Sequence, residues 1–410
     1  MGDEVAALIK RGLCHGGRGT IQYSGERVQL RLRLGSTRAA PDVRRSVLYF
    51  DHNATHPLSA TARSTWLDAV ERYPANPSSP HRLGQRAEKA LEDARDRLGK
   101  ILGVSPERIV FTSGATEANN WVLSRFEMIC ISTIEHPCVV KPAAGKCSVL
   151  PVNSSGAVEL AAVEDQLRQE RPQLVAVMAA NNETGVMQPW REVAELCRAH
   201  AIPFLCDAAQ WIGKMPAHGL GAADFLSGCA HKFGGPGGVG FLACPRDFSP
   251  LLRGGPQEEG RRAGTENVAG VLAMVAALEE REAVIAAGGV DECLAWRHNF
   301  ERALTSAIPS IRILGADQER LWNTVSVLMP EAPDCRRRWV VVMDKLGCAV
   351  STGSACASGK ENPSHVLTAM GIPAQDAGRA LRFSSGWETQ EQDWEKLSVA
   401  LRTAVAEVLG

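Results

Sequence analysis

The most restrictive feature of this sequence is the alternation of short apolar runs with helical patterns from Tyr49 onward. Apolar runs of strand length occur at residues 109–112, 174–179 and 239–243. In the stretch 87–101, alanine, leucine and isoleucine recur at spacings of four, three, four and three, as on one face of an amphipathic helix. This order predicts an α/β domain built around a mostly parallel sheet.

The remaining segments divide the chain into three predicted parts. Residues 1–47 are rich in arginine and glycine and contain a strand-like alternation of apolar and polar residues, so they are interpreted as an N-terminal extension, either a short hairpin or a flexible leader. A long helical pattern at 268–287 closes the predicted large domain, residues 63–286. Residues 48–62 and 287–410 are assigned to a smaller α+β domain.

Composition excludes several classes of function. The 410 residues are 45% hydrophobic with a formal net charge of −1, which removes the general electrostatic case for nucleic acid or an anionic membrane. No apolar run reaches the roughly 20 residues of a membrane span. The 12 cysteines include no CxxC pair, so no metal site is predicted. Unpaired thiols without an export signal indicate the cytoplasm.

A lysine in an unusual context is the first indication of chemistry. Lys232 follows His231 and precedes a glycine-rich turn that runs to residue 240. This setting suits a lysine that forms a Schiff base with a carbonyl. Asp207 follows a predicted buried strand, and ligands of α/β sheets bind at the carboxyl ends of strands. A pyridinium nitrogen would satisfy that aspartate, although an N-cap role stays open. Together these residues predict pyridoxal phosphate.

A phosphate site is expected where residues 113–116 follow a strand and open a helix. Free backbone N–H groups at such a helix start bind anions, and Thr116 adds a hydroxyl group. The alternative is a plain strand-to-helix turn capped by Ser113 or Thr116. His231 would add a further phosphate donor.

Three polar residues are predicted to address the cofactor ring. His136 follows an apolar strand and could stack on the ring, although a loop histidine is the alternative. Asn182 follows the run 174–179 and could donate to the ring oxygen, with an asparagine-rich turn as the alternative. Gln210 lies three residues after Asp207 and could reach the same oxygen.

A nucleophile and a carboxylate-binding residue complete the prediction. Cys356 lies in a run of glycine, serine and alanine, residues 351–359, from which a thiol could swing out and attack; an incidental surface cysteine is the alternative. Arg382 lies between apolar neighbours and requires a carboxylate, supplied by a protein acid or by a substrate. Asn76 could assist it, or serve turn chemistry alone.

Taken together, these residues resemble the cysteine desulfurases of the NifS/IscS type, in the class V aminotransferase group of fold type I pyridoxal phosphate enzymes. The resemblance runs from about Tyr49 to the C-terminus and implies a large domain with a mostly parallel sheet plus a smaller α+β C-terminal domain. The matching runs are 49–55, 76–79, 111–117, 135–136, 181–185, 207–210, 231–232, 262–267, 353–356 and 381–384.

The resemblance implies an enzyme that converts L-cysteine to L-alanine with pyridoxal 5′-phosphate. Lys232 would hold the cofactor and move the Cα proton, His136 would be the third catalytic residue, and Cys356 would attack sulfur and carry it as a persulfide. The implied cofactor-binding positions are Ala115, Thr116, His136, Asn182, Asp207, Gln210, Cys229, His231, Lys232 and Thr265. The implied substrate-binding positions are Asn76 and Arg382.

Two further expectations follow from the resemblance. Thr265 would reach the cofactor of the other subunit, which implies a homodimer. Sulfur would pass to an acceptor protein, in iron–sulfur cluster assembly or another sulfur pathway; a selenocysteine lyase or related β-lyase is the alternative activity. Cys229 stands where family members usually carry a phosphate-binding serine, and a thiol is a weaker donor.

Overall fold

Two compact units, residues 1–47 and 48–410, make up the chain and are described separately. The computed structural model describes residues 19–23, 26–30, 47–332, 335–353 and 364–410, with the backbone alone at 19–23, 26–30 and 335–338. In the first unit, β1 (Gly19–Tyr23) and β2 (Glu26–Leu30) pair in antiparallel fashion, which is the hairpin form of the predicted extension.

The second unit alternates strands and helices along the sequence. Its strands are β3 (Leu48–Tyr49), β4 (Ile109–Thr112), β5 (Ile129–Ser132), β6 (Cys147–Leu150), β7 (Leu174–Ala176), β8 (Phe204–Asp207), β9 (Phe225–Cys229), β10 (Gly240–Ala243), β11 (Arg312–Ile313), β12 (Thr324–Leu328), β13 (Cys348–Ala349) and β14 (Ala380–Ser384). Its α-helices are α1 (Ala60–Arg72), α2 (Arg82–Leu102), α3 (Ala115–Leu123), α4 (Pro137–Ala143), α5 (Leu160–Gln169), α6 (Trp190–Ala199), α7 (Val268–Ala286), α8 (Gly289–Ala307), α9 (Cys335–Lys345), α10 (His365–Ala369), α11 (Ala374–Ala377) and α12 (Glu391–Leu409).

A seven-stranded sheet in the order β4-β10-β9-β8-β7-β5-β6 forms the centre of this unit. Strand β10 runs antiparallel to both of its neighbours, whereas the other pairs are parallel. Every residue of β4, β8, β9 and β10 is buried, as expected for a sheet covered on both faces. The predicted α/β fold with a mostly parallel sheet is therefore confirmed.

The periodicity found at residues 87–101 is the buried face of α2. Ala87, Leu91, Ala94 and Leu98 are almost wholly inaccessible to solvent, so this face packs into the main core. The helix ends at Gly103, which has a left-handed backbone (φ 70°) that favours glycine. The long helix predicted at 268–287 is α7, which packs against α1 and α2.

The apolar run at 174–179 is longer than the strand that it forms. Strand β7 ends at Ala176, but the chain continues beside β8. The amide of Val177 donates to the carbonyl of Leu205 (3.1 Å) and that of Ala179 to the carbonyl of Asp207 (2.9 Å). The next residues therefore remain at the sheet edge where Asp207 lies.

A second core lies between a smaller sheet and the C-terminal helices. Strands β11, β12 and β14 form an antiparallel sheet, and β3 pairs with β13. Phe50, Phe300, Trp339 and Trp394 belong to the same buried cluster, so the beginning of the unit packs against its end. The finer division into domains 63–286 and 48–62 with 287–410 stays a prediction. None of the helices in the described ranges combines the length and hydrophobicity that a bilayer crossing requires.

A buried ion pair holds α2 against the edge strand that leads to the site. The Arg95 guanidinium donates to both oxygens of Glu258 (2.8 and 3.1 Å) and to the carbonyl of Ile109 (2.7 Å). The same carboxylate accepts from the Phe111 amide (3.0 Å), and Arg95 lies over the Phe111 ring. Since both charged side chains are buried, each depends on the other for its hydrogen bonds.

Replacing Glu258 by alanine should lower the free energy of unfolding by about 3–5 kcal/mol, because the buried Arg95 would keep only the exposed Glu92 as a counter-charge. The matched control is Glu259→Ala. Glu259 also has a positive φ (56°, against 50° for Glu258), but its ion pair with Arg246 (3.6 Å) is exposed, so its loss should cost less than about 1 kcal/mol. Urea unfolding followed by tryptophan fluorescence measures both. Equal destabilisation by the two variants would contradict the role assigned to Arg95 and Glu258.

Candidate active site

A cavity of about 320 Å³ lies where β4, β7, β8 and β9 end. The chain after these strands supplies most of its wall, in agreement with the general position of ligand sites in α/β sheets. The sequence-predicted residues that line it are Ala115, Thr116, His136, Asn182, Asp207, Gln210, Cys229, His231, Lys232 and Arg382.

Three predicted residues are not among those that line the cavity. Asn76 is exposed, and its side-chain oxygen accepts from the Ser78 amide (2.9 Å), which is turn chemistry. Thr265 is also exposed. Cys356 lies outside the described residues. The functional assignments of all three stay predictions.

Lys232 lies at the end of the short 3₁₀ turn that follows β9. Its Nζ donates to the main-chain carbonyls of Asn53 (2.6 Å) and Ala54 (2.9 Å). Burial lowers the pKa of the Lys232 ammonium, and the nearby Arg382 lowers it further. A lysine with a lowered pKa is more often in the neutral amine form, which is the form that attacks a carbonyl.

Asp207 is buried and its carboxylate receives hydrogen bonds from the protein. Asn119 Nδ2 donates to Oδ2 (2.7 Å), the Ala209 amide donates to Oδ1 (3.0 Å), and the Cys138 thiol lies 3.9 Å from Oδ2. Asn119 was not predicted from the sequence. The feature that could have indicated it is an amide residue on the buried face of α3, one helical turn after Ala115.

The first turn of α3 also lines the cavity, and its N-cap residue makes no side-chain hydrogen bond to the backbone N–H groups there. Gly114 precedes the helix and has no side chain with which to cap it. Thr116 is exposed and adds its hydroxyl group to the cavity wall. The buried Cys229 completes this end, and burial raises the pKa of its thiol to about 11, so the thiol is uncharged at neutral pH. This arrangement favours a bound anion.

The two cavity histidines are held in defined orientations. Burial lowers the pKa of His231 to about 4, and its Nδ1 lies 2.8 Å from the Thr55 hydroxyl. When Thr55 donates, the hydrogen of the neutral ring is at Nε2. His136 caps α4, with Nδ1 accepting from the Cys138 amide (3.2 Å), and burial lowers its pKa also. Both rings are therefore neutral hydrogen-bond donors rather than cations.

Arg382 is 1% exposed and contacts a protein acid, one of the two alternatives left open by the sequence. One terminal nitrogen donates to Asp51 Oδ1 (2.7 Å), and the other donates to the carbonyls of Asn182 (2.7 Å) and Gly353 (3.1 Å). Its Nε has no hydrogen-bond partner among the described residues. This buried guanidinium therefore keeps one N–H donor that no described residue satisfies.

Gly353 and Ser364, which flank the segment that contains Cys356, form hydrogen bonds to Arg382 and to Glu183, respectively. The Gly353 carbonyl accepts from Arg382 (3.1 Å), and the Ser364 hydroxyl donates to Glu183 Oε2 (2.6 Å). Glu183 follows Asn182 and is itself buried, which raises the pKa of its carboxyl group. Both flanking residues are therefore held by residues in or next to the cavity lining.

A second buried lysine, Lys214, was not predicted from the sequence. It holds the side chains of two cavity residues. Lys214 Nζ donates to Asn53 Oδ1 (2.9 Å) and to Gln210 Oε1, while Gln210 Nε2 donates to the Asn53 carbonyl (3.0 Å). Burial lowers the pKa of Lys214 well below its ordinary value, and the charge of Lys232 lowers it further. Its signal was a lysine one turn after Gln210 in an otherwise apolar stretch.

The residues present fit pyridoxal phosphate. The α3 N-terminus, with no capping side chain, suits the phosphate group, and the buried carboxylate of Asp207 suits a protonated ring nitrogen. The Lys232 amine lies on the same cavity, whose volume is in the range of small-ligand sites. The fold and this site together define a pyridoxal-phosphate-dependent enzyme of fold type I.

Comparison with known proteins gives the family. The aminotransferase class-V family model matches residues 48–397. A cysteine desulfurase of Klebsiella pneumoniae is 38% identical over 360 residues, which is 84% of this chain and 89% of the relative. The structure of a NifS-like protein from Rickettsia africae has a TM-score of 0.80 at 29% identity and covers 88% of this chain and 99% of its own. The structure of SspA in complex with cysteine has a TM-score of 0.70 at 30% identity, and the match covers 82% of this chain and 98% of the SspA chain. The chain belongs to the aminotransferase class-V family, in the group of cysteine desulfurases of the NifS/IscS type.

The raised pKa of Cys229 predicts an unusual pH dependence of its reactivity in the cofactor-free protein. Only the thiolate reacts, so its alkylation by iodoacetamide should keep rising with pH towards about 11, whereas an ordinary thiol levels off near its pKa of about 8.5. Short pulses followed by peptide mass spectrometry measure the rate, with the half-buried Cys147 as an internal comparison. Rapid labelling of Cys229 at neutral pH would contradict its protonated state.

Proposed function

We propose that this protein is a cysteine desulfurase that converts L-cysteine to L-alanine and retains the sulfur as a persulfide on Cys356. The observation that carries this proposal is the presence of Lys232, Asp207 and Arg382 on one cavity of about 320 Å³. A reactive amine, a ring-nitrogen partner and a carboxylate-binding guanidinium are the groups that an amino acid and pyridoxal phosphate require. The names of the relatives agree with this activity.

Lys232 and Asp207 do the central work in this proposal. When bound, pyridoxal phosphate supplies an electron sink for bond changes at the Cα atom of the amino acid. Lys232 anchors the cofactor and then removes the Cα proton, for which its lowered pKa suits it. Asp207 pairs with the ring nitrogen, and Asn119 and Ala209 orient its carboxylate through hydrogen bonds. His136 lies against the ring.

The phosphate is held by the first turn of α3. Ala115 contributes backbone, Thr116 a hydroxyl group and His231 its remaining ring N–H. Cys229 contributes a neutral thiol, the weakest of these donors. We further propose that Thr265 reaches the cofactor of a second copy of the chain; its exposure and its place outside the cavity lining support a homodimer. In this scheme residues 63–286 form the cofactor-binding domain.

The substrate carboxylate binds to Arg382, assisted by Asn76. The unpartnered Nε of Arg382 supports this role. The hydrogen bond from a terminal nitrogen of Arg382 to Asp51 fixes the orientation of the guanidinium plane. Asn182 and Gln210 contact the oxygen atom of the cofactor ring. Lys214 holds the Gln210 side chain through its Oε1 atom.

The sulfur step belongs to Cys356. Its thiolate attacks the sulfur of the bound L-cysteine; a sulfur–sulfur bond forms, the carbon–sulfur bond breaks, and the electron pair and a proton go to the carbon that becomes the methyl group of L-alanine. The net reaction is L-cysteine plus the Cys356 thiol giving L-alanine plus the Cys356 persulfide. The attachment of Gly353 and Ser364 beside the cavity supports this assignment.

The persulfide sulfur then passes to an acceptor protein, for iron–sulfur cluster assembly or another sulfur pathway. A cytoplasmic location is proposed with it. Free thiols support that location: the cysteines that the structure describes as unpaired are Cys130, Cys138, Cys147, Cys197, Cys206, Cys229, Cys244, Cys293 and Cys348.

Replacing Lys232 by alanine should lower alanine release from L-cysteine by at least about 100-fold, because the proton-transfer group is lost. Borohydride reduction of the wild-type holoenzyme should attach pyridoxal phosphate to Lys232 and leave Lys214 unmodified, as read by peptide mass spectrometry. The exposed Lys141→Ala is the matched control and should behave as wild type. Normal turnover by the Lys232 variant would refute the proposed function.

Replacing Cys356 by serine should leave cofactor absorbance intact and abolish the persulfide formed on incubation with L-cysteine, because a hydroxyl group is a far weaker nucleophile than a thiolate at neutral pH. Persulfide-specific labelling and peptide mapping measure this, with Cys147→Ser as the control that retains the label. Labelling of the Cys356→Ser variant at the wild-type level would exclude Cys356 as the sulfur carrier.

A further inference from the structure

Two buried histidines and a glutamate meet on the side of the 52–56 segment that the proposed chemistry does not use. One ligand atom each from His52, His56 and Glu388 lies within 4.8 Å of the others. Both histidines are 5% exposed, whereas the Glu388 side chain is 57% exposed. No role in binding cofactor or substrate has been assigned to any of the three.

Both imidazole rings are oriented as metal-bound histidines are. His52 Nδ1 lies 3.0 Å from the Ser384 carbonyl, and His56 Nδ1 lies 2.7 Å from the Pro57 carbonyl. Because a carbonyl oxygen can only accept, each Nδ1 carries the hydrogen and donates it. In the neutral ring the lone pair is then at Nε2, and an N–H to carbonyl bond on the far nitrogen is the usual support of a metal-bound histidine.

The two Nε2 atoms lie close together beside the backbone of residue 386, which packs so tightly against both rings that only glycine fits there. A Cβ atom built on Gly386 would lie 2.4 Å from His52 Nε2 and 2.9 Å from His56 Nε2. The buried His56 Nε2 has no hydrogen-bond partner among the described residues. Glu388 Oε2 is 3.1 Å from it and forms an ion pair with the ring when the ring is protonated. In the neutral ring, the lone pairs of His56 Nε2 and Glu388 Oε2 face each other across this distance, an arrangement that a cation would satisfy.

The third group is a carboxylate that is already oriented by an arginine. Arg281 donates to Glu388 Oε1 (2.7 Å) and to the Phe233 carbonyl (3.0 Å), which leaves Oε2 directed at the histidines. Arg281 also brings positive charge, which opposes a cation, so the charge of Glu388 is needed to offset it. The exposure of Glu388 leaves it free to close on an ion.

We propose that His52 Nε2, His56 Nε2 and the Glu388 carboxylate bind one divalent transition-metal ion, with zinc as the best match. Two imidazole nitrogens and one carboxylate are a common zinc donor set, with a fourth position left for water. Bond lengths of about 2.0–2.2 Å place such ligands roughly 3.3 Å apart, so the cluster contracts slightly on binding. No metal site was predicted from the sequence, which contains no CxxC pair.

The ion would fix the position of the segment 52–56, whose main-chain carbonyls accept hydrogen bonds from Lys232. The carbonyls of Asn53 and Ala54, which accept from Lys232, lie between His52 and His56 in the chain. Glu388 belongs to the segment that follows β14. An ion bound to all three would fasten these two segments together and stabilise the contacts of the lysine. Its role is structural, and it takes no part in the sulfur chemistry.

Zinc binding by the holoenzyme tests this proposal directly. Accessible thiols are first alkylated, so that cysteines do not compete, and the protein is dialysed against a chelator and then against ZnCl₂, with bound zinc measured by elemental analysis. Wild type should bind one equivalent that is lost in His56→Gln and Glu388→Gln, with affinity reduced by at least about 100-fold, since loss of outer-shell partners alone costs roughly 10–100-fold. The exposed His218→Gln is the matched control and should keep the ion.

A stability measurement separates loss of the ion from loss of the fold. Zinc should raise the thermal unfolding midpoint of wild type and His218→Gln, because an ion that binds only the folded state stabilises it, and should leave Glu388→Gln unchanged. Glutamine keeps a side-chain oxygen that can accept from the buried Arg281, so this variant is expected to fold. Absence of a bound equivalent in alkylated wild type would overturn the proposal, as would equal binding and equal stabilisation in Glu388→Gln.

Discussion

The parallel pairing of β8 with β9 is the constraint on which the site depends. Asp207 lies opposite Ser227 in the register of these strands, two residues before β9 ends at Cys229. Because parallel strands end at the same edge of a sheet, Asp207, the proposed ring-nitrogen partner, and the run that carries Lys232 are brought to one cavity. The turn after β4, the proposed phosphate site, reaches the same edge through β10, which lies between β4 and β9.

The segment from Asp51 to His56 connects this edge to the second core. Its main-chain carbonyls accept from Lys232, its Asn53 side chain accepts from Lys214, and Asp51 accepts from Arg382. Asn53, Lys214 and Arg382 are buried, so their hydrogen bonds replace ones that water would otherwise have made. Such a network holds the reactive lysine in one position, because moving any member would leave several buried groups without partners.

The sequence predicted most of the site and missed the residues that support it. Lys232, Asp207 and Thr116 were found because each follows a recognisable strand or opens a helix, and those signals lie within a few residues. Asn119 and Lys214 escaped because a buried amide or lysine acquires its meaning only from a distant partner. Asn119 and Asp207 are 88 residues apart in the sequence. For Arg382, the sequence left two kinds of carboxylate open, and the structure showed the contact with Asp51.

Local patterns in the sequence determined the alternation of strands and helices, the mostly parallel sheet and the positions of the main reactive groups, because periodicity and turn chemistry depend on near neighbours. The tertiary structure alone decided which donors surround Asp207, which carbonyls hold the Lys232 amine and that ligand atoms of His52, His56 and Glu388 lie within 4.8 Å of one another. These contacts depend on how the two cores pack. His52 and Ser384, for example, are 332 residues apart in the sequence and 3.0 Å apart in the fold.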